Sequence, residues 1–190
     1  MAKKSGSRLR IIGGMWRSRM LPIADVEGLR PTTDRVRETL FNWLQPYIPG
    51  ANILDVFAGS GALGFEALSR EADKATLLEK NAKAAKNLSE NAKTLNASNA
   101  TVRQTDALTW LKKCDEAFDV IFLDPPFNKG LLPNCIGLIN ENNLIAQNGW
   151  VYIESEADLS NLPIPKHWDL HREKKAGMVM LRLFRVGEVS

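Results

Sequence analysis

Only two cysteines and two histidines occur in the 190-residue chain, and their spacing removes several classes of protein at once. Cys114 and Cys135 form no Cys-x-x-Cys pair, and His167 and His171 lie far from both along the sequence. Neither a zinc site nor a disulfide framework is expected, so the cysteines read as reduced, structural residues and no metal is assigned. Long apolar runs are missing as well. Nothing approaches the ~20 apolar residues that span a bilayer, and the apolar patch at residues 9–20 is broken by Arg10, Arg17 and Arg19, unlike a signal-peptide core. A soluble, cytoplasmic protein with no membrane partner is the expectation. There is no internal repeat and no low-complexity segment, and with 44% apolar residues the chain can fill a single core.

Acidic residues are absent from the first 24 positions, which carry Lys3, Lys4, Arg8, Arg10, Arg17 and Arg19. The whole chain has a net charge of only +3, but its first fifty residues hold 9 basic and 4 acidic side chains, and the other 140 hold 16 and 18. Basic character therefore belongs to one end. That points to an anionic partner such as nucleic acid, with a merely solvated tail as the competing reading. The expected division is a basic N-terminal extension over residues 1–50 and a larger domain over residues 51–190.

After Gly50 the chain alternates. Runs at residues 52–57, 75–78, 100–104, 118–123 and 149–153 read as buried strands, and helix-forming stretches at 62–69, 82–95, 107–113 and 133–146 separate them. Such repeated units predict an α/β, Rossmann-like sheet with parallel strands and right-handed crossovers. The end of the chain breaks the rhythm. Strand-like runs at 169–174 and 178–186 are separated only by Lys175, Ala176 and Gly177, which leaves no room for a helix and predicts an antiparallel hairpin. At the front, residues 9–12 read as a short strand before Gly13-Gly14. Thr33 then caps a helix reaching Leu44, with Val36, Leu40, Phe41 and Leu44 on one face.

The first strand of the larger domain runs into Asp55-Val56-Phe57-Ala58-Gly59-Ser60-Gly61-Ala62-Leu63-Gly64 and then a helix. Glycines at this junction allow a ligand to approach the backbone at the start of the helix. Glu79 ends the next strand, where an acid can accept hydrogen bonds from both hydroxyls of a ribose. NAD and S-adenosylmethionine both fit this pattern. Asp55 favours the second, because a carboxylate suits the cationic amino group of a methionine moiety and would repel a pyrophosphate. Asp106, after the third strand, could face an adenine amino group. Each residue also has a structural reading: Asp55 as a turn former, Glu79 as an exposed helix start, Asp106 as a helix N-cap.

The most distinctive segment is Asp124-Pro125-Pro126-Phe127 at the end of a buried strand, the edge where doubly wound folds bind ligands. It suits methylation of an exocyclic amine on a planar base. Hydrogen bonds from the amine to the Asp124 carboxylate and the Pro125 carbonyl would localise a lone pair otherwise delocalised into the ring. The prolines fix the direction of that carbonyl, and Phe127 offers a face on which a flipped base can stack. A rigid turn with a packed phenylalanine is the alternative.

These segments resemble the RsmD-type methyltransferases, class I S-adenosylmethionine-dependent enzymes of the N2 amine of one guanine in bacterial 16S rRNA. The likeness runs over residues 8–186. It is carried by Arg10-Ile11-Ile12-Gly13-Gly14, by Leu29 through the Arg30-Pro31-Thr32-Thr33-Asp34-Arg35-Val36-Arg37-Glu38 segment to Leu44, by residues 57–64 and 124–127, and by Leu170-His171-Arg172-Glu173-Lys174. It implies a seven-stranded, mostly parallel sheet with a C-terminal antiparallel hairpin. Asp55, Phe57, Gly59 and Gly61 would line the methionine end of the cofactor, Glu79 the ribose and Asp106 the adenine. Asp124, Pro125, Pro126 and Phe127 would hold the guanine, with S-adenosylhomocysteine as product.

The implied partner is 16S rRNA in the assembled or assembling small subunit, with the enzyme acting as a monomer. Arg10, Arg17, Arg19, Arg30 and Arg35 would contact phosphates, although Glu38 is within ion-pairing reach of the arginines on its helix. Trp16 would pack on the domain. Three other functions fit some of these residues: an adenine-N6 methyltransferase of DNA or RNA, a non-catalytic ribosome-assembly factor, and an NAD-dependent oxidoreductase. The last lacks a His, Tyr or Lys arrangement for hydride transfer.

Overall fold

Period-two alternation along residues 118–123 puts Val120 and Phe122 on one face of a strand and Ile121 and Leu123 on the other. The computed structural model, which describes residues 6–29 and 32–187, buries both faces completely. Lys3, Lys4 and Arg30 lie outside the described residues. A strand buried twice over needs cover on both sides, which is the condition for a parallel sheet between layers of helices.

The sheet has seven strands: β3 (Asn52–Asp55), β4 (Lys74–Glu79), β5 (Ala100–Gln104), β6 (Phe118–Leu123), β7 (Ile145–Glu156), β8 (Trp168–Ala176) and β9 (Val179–Val186). Their order is β5-β4-β3-β6-β7-β9-β8. The first five are mutually parallel, and β9 pairs antiparallel with both β7 and β8. This is the Rossmann-like sheet of class I methyltransferases, with its C-terminal hairpin. The order reverses between β3 and β6, where such folds open a ligand crevice.

Helices α1 (Asp34–Leu44), α2 (Ala62–Ser69) and α3 (Ala82–Thr94) cover one face, and α4 (Ala107–Leu111) and α5 (Leu132–Glu141) the other. The N-terminal residues belong to the first layer. A small antiparallel ribbon of β1 (Arg8–Arg10) and β2 (Met20–Pro22) buries Leu9 and Leu21 in the same cluster as Leu40, Phe41, Phe65 and Phe122. Trp16 packs against that cluster as expected. A short hairpin is the expectation for this end of the chain, and its second strand, β2, is three residues ending in proline.

Three other boundaries differ from expectation for identifiable reasons. Helix α5 stops at Glu141 rather than Ala146, because Asn143 takes a left-handed conformation (φ 51°) and Leu144 N–H turns back to the Ile139 carbonyl at 3.0 Å. Strand β7 then starts at Ile145, four residues before the expected Gly149, with a register shift opposite Phe118 and Val120. The final turn is Gly177-Met178, with Gly177 at φ 62°, so the first arm runs on to Ala176, two residues past the expected end, and the second starts at Val179, one residue late. Among the described residues no helix is long and apolar enough to cross a membrane.

Candidate active site

Each parallel strand except β5 ends in, or just before, a carboxylate, and β5 is followed by one after Thr105. Asp55, Glu79, Asp106 and Asp124 thereby line one cleft of about 1790 Å³ at the carboxyl edge of the sheet, joined by Glu154 from within β7, two residues before its end. That exceeds the roughly 300–1,000 Å³ of a single small-molecule site and gives room for a nucleoside and a second planar ligand. Residues 26–29 and the start of α1 form one wall, and Lys174 to Val179 of the hairpin form another.

The glycine loop is held by two of these acids. Asp55 is buried, and its Oδ2 accepts the Gly64 N–H at 3.0 Å. Its Oδ1 is buried with no hydrogen-bond partner. Burial pushes this carboxyl up to about 7, the Gly64 N–H opposes the shift, and the charge of Glu79 adds to it. A buried, half-satisfied acid needs a donor, and an ammonium group is one that would also stabilise its charge. Glu79 Oε2 accepts the Gly59 N–H at 3.0 Å and Oε1 the Asn81 N–H at 2.8 Å, so it braces the loop from the next strand.

Gly61 shows why glycine is needed here: at φ 83° it starts α2, and a Cβ would sit 2.5 Å from the Phe65 ring. Phe57 and Gly59 line the cleft beside it. Asp106 lines the cleft too, but its carboxylate caps α4 through the Thr109 N–H at 3.0 Å and lies 3.3 Å from Lys80. The Thr109 bond, ahead of Lys80 and against partial burial, holds the group below its ordinary value.

Asp124 follows β6 directly. The Thr32 hydroxyl donates to its Oδ2 at 3.2 Å, tying the acid to the residues before α1. Pro125 is buried, Pro126 exposed and Phe127 half-buried, and the loop is pinned beyond them by the Asn128 N–H on the Glu156 carboxylate.

The arginines expected at RNA do not share one environment. Arg10 is exposed and bonds Asp34 at 2.8 Å, while Arg19 is exposed and donates to the Thr94 carbonyl. Arg17 is exposed, and Arg35 is exposed at the mouth of the cleft. Arg37, two residues on, is buried. It bonds Asp34 at 2.6 Å, the Arg10 carbonyl at 2.8 Å and Glu66 at 3.4 Å, and Glu38 is not its partner.

Glu66 is the hub of this network. Wholly buried in α2, it also accepts the Ile12 and Gly13 N–H groups at 2.9 and 2.8 Å and Arg70 at 2.9 Å. Ser69 on the same helix donates to the Gly13 carbonyl and accepts the Trp16 N–H.

Several cleft residues escaped the sequence reading: Thr32, Glu154, Lys129, and the hairpin tip with Lys174, Lys175 and the 82%-exposed Met178. Glu154 had a usable signal, since it follows the apolar run 149–153 as Asp124 follows the run 118–123.

Comparison with known proteins follows the same lines. The family model described as Conserved hypothetical protein 95 matches residues 9–185. Ribosomal RNA small subunit methyltransferase D of Escherichia coli (strain K12) is 50% identical over 182 residues, 95% of this chain and 92% of its own. The protein of the same name from Haemophilus influenzae is 49% identical over 93% of each. The solved structure of the Escherichia coli protein yhhF, 47% identical, matches with a TM-score of 0.90 over 95% of this chain and 99% of its own. With nearly its whole length matched by the family model and half its residues shared with named relatives, the chain belongs to the RsmD family of methyltransferases.

Proposed function

We propose that the protein is a cytoplasmic, monomeric S-adenosylmethionine-dependent methyltransferase of a guanine N2 amine in 16S rRNA of the assembled or assembling small subunit. The observation that carries this is one cleft lined by both a nucleoside-type loop (Asp55, Phe57, Gly59, Glu79, Asp106), with Gly61 starting the helix behind it, and the Asp124-Pro125-Pro126-Phe127 loop. The relatives' name, which refers to small-subunit ribosomal RNA, supports the substrate. A basic extension over residues 1–50 serving a methyltransferase domain over residues 51–190 belongs to the same proposal.

When bound, S-adenosylmethionine supplies an electrophilic methyl group on a sulfonium. Asp55 Oδ1 would take its ammonium group, Glu79 its ribose and Asp106 its adenine. Asp124 and the Pro125 carbonyl accept the two N–H groups of the target amine and direct its lone pair. Asp124 or water takes the proton released by the methylated amine. Phe127 stacks on the base, worth ~1–3 kcal/mol, and Pro126 stiffens the turn. Arg10, Arg17, Arg19, Arg30 and Arg35 draw in the phosphates.

Offering labelled S-adenosylmethionine to small subunits, naked rRNA and DNA tests the reading. Nucleoside mass spectrometry should place the label on N2-methylguanine from subunits. Label on N6-methyladenine would overturn the chemistry, and equal labelling of naked rRNA would overturn the subunit as substrate.

Two further outcomes are expected. Because Asp55 rises from an ordinary 3.8 to about 7, the empty site holds it largely protonated below that pH, and an ammonium must displace the proton. Cofactor affinity measured by calorimetry should therefore increase as pH rises through about 7 and then level off, and Asp55→Asn should flatten the profile. The sign for stability is opposite. The folded state binds the extra proton, so this group weakens the empty fold as pH rises between those two values. Separately, replacing Lys174 and Lys175 at the cleft mouth with alanine should lower the slope of log affinity against log salt for subunits by about 1.5, as expected for two lost phosphate contacts. An unchanged slope would remove the hairpin from the RNA-binding surface.

A further inference from the structure

Strands β6 and β7 are paired in register from Val120 opposite Trp150 to Leu123 opposite Ile153, where β6 ends. Those two side chains enter the core on the α4–α5 side, and Phe122 and Tyr152 enter it on the α1–α2 side with ring centroids 6.3 Å apart. The next residues along are Asp124, just past β6, and Glu154, within β7, and the charges of both act on the Tyr152 hydroxyl. Both line the cleft, and Glu154 is 7% exposed.

Tyr152 fixes the second acid by donating its hydroxyl to Glu154 Oε2 at 3.0 Å. Burial first, then the charges of Glu154 and Asp124, push that hydroxyl well above its ordinary value, so it stays a donor.

Two carboxylates lining one cleft favour a ligand edge rich in donors. The bases differ at that edge. Beside its exocyclic amine, guanine presents the N1–H donor, whereas adenine presents a bare N1 lone pair that a carboxylate repels. We infer that Glu154 is the specificity residue of this site, accepting the guanine N1–H while Asp124 and the Pro125 carbonyl accept the N2 amine. The inference rests on the guanine-N2 reading above and gives it a reason: three acceptors meet three donors, and adenine can supply only two.

2-Aminopurine separates the two ideas, because it keeps the N2 amine but replaces N1–H by a lone pair. Small subunits are reconstituted with guanine or 2-aminopurine at the target position, and single-turnover methylation of each is compared. Wild-type enzyme should strongly prefer guanine. In Glu154→Gln the amide can donate to the N1 lone pair, and the guanine to 2-aminopurine ratio should fall by about 10–100-fold, the discrimination expected of one good base-edge contact. A ratio measured within one protein cancels any loss of folded enzyme.

Should that variant fail to accumulate, Tyr152→Phe removes the hydroxyl that orients Glu154, and the same ratio should fall by a smaller factor. An unchanged ratio in either variant, with N2-methylguanine still made by the wild type, overturns the role of Glu154 alone. Methylation of adenine N6 by the wild type overturns the underlying reading instead.

Discussion

Replacing Asp124 with asparagine is expected to lower single-turnover methylation of small subunits by about 10²–10⁴-fold, the range for losing a positioned proton acceptor and preorganised electrostatic contact. Affinity for S-adenosylmethionine should stay unchanged. The amide is the same size but carries no charge, and one of its ends is a donor facing the donors of the target amine. Asp124 is half-buried, and its Thr32 contact lies at the edge of the cleft, so the fold should survive. Single-turnover kinetics report the chemical step, and calorimetry reports cofactor binding separately. Methylation at the wild-type rate would remove Asp124 from the reaction, and loss of cofactor affinity would move its role to binding.

The largest expected effect on stability comes from Glu66→Ala. The substitution strips four partners at once: the Arg37 and Arg70 guanidiniums and the N–H groups of Ile12 and Gly13. Arg37, 1% exposed, would keep only Asp34 as an acid partner. Breaking a buried ion pair from one side costs ~3–5 kcal/mol because a charge is left uncompensated, and for a chain of this size that lowers the melting temperature by roughly 10 °C or more. Amide exchange at Ile12 and Gly13 should speed up in parallel. The double replacement Glu66→Leu with Arg37→Met should recover part of the loss, since neither charge is then stranded. If Glu66→Ala melted like the wild type, the N-terminal ribbon would be held by its apolar contacts through Leu9, Ile11 and Leu21 instead.

The sheet was legible because strands buried on both faces need continuous apolar runs, and such runs stand out at Ile53-Leu54, Leu77-Leu78 and Val120 to Leu123. Boundaries set by one residue were harder. Asn143 ends α5 through a backbone conformation that composition does not announce, and a three-residue strand such as β2 has no period to detect.

In α1 the expected apolar face took Val36 because it is hydrophobic. The structure buries Arg37 with Leu40, Phe41 and Leu44, and this set has the better helical spacing. The clue was remote: a lone Glu66 inside the apolar helix Ala62–Ser69 requires a cation, and nothing nearby in sequence says which one. Glycines and acids around the cofactor loop were readable because strand ends and tight turns constrain them locally. Glu154 is not legible as a site residue because the apolar run stops at Ile153, and nothing in the sequence says that the strand pairs on to Glu156. Its meaning appears when β6 and β7 are set in register.

Helix α2 has eight residues, all of them buried. At 1.5 Å per residue it is about 12 Å long. Gly61, just ahead of its first turn, ends the glycine loop, and its second and last turns hold Gly13 and Trp16 of the basic ribbon. With no solvent-facing side it can neither roll nor slide without displacing core side chains. It acts as a short rigid strut, so on the proposed function the distance between the methyl donor and the arm proposed to grip RNA is built into the core and not left to a hinge.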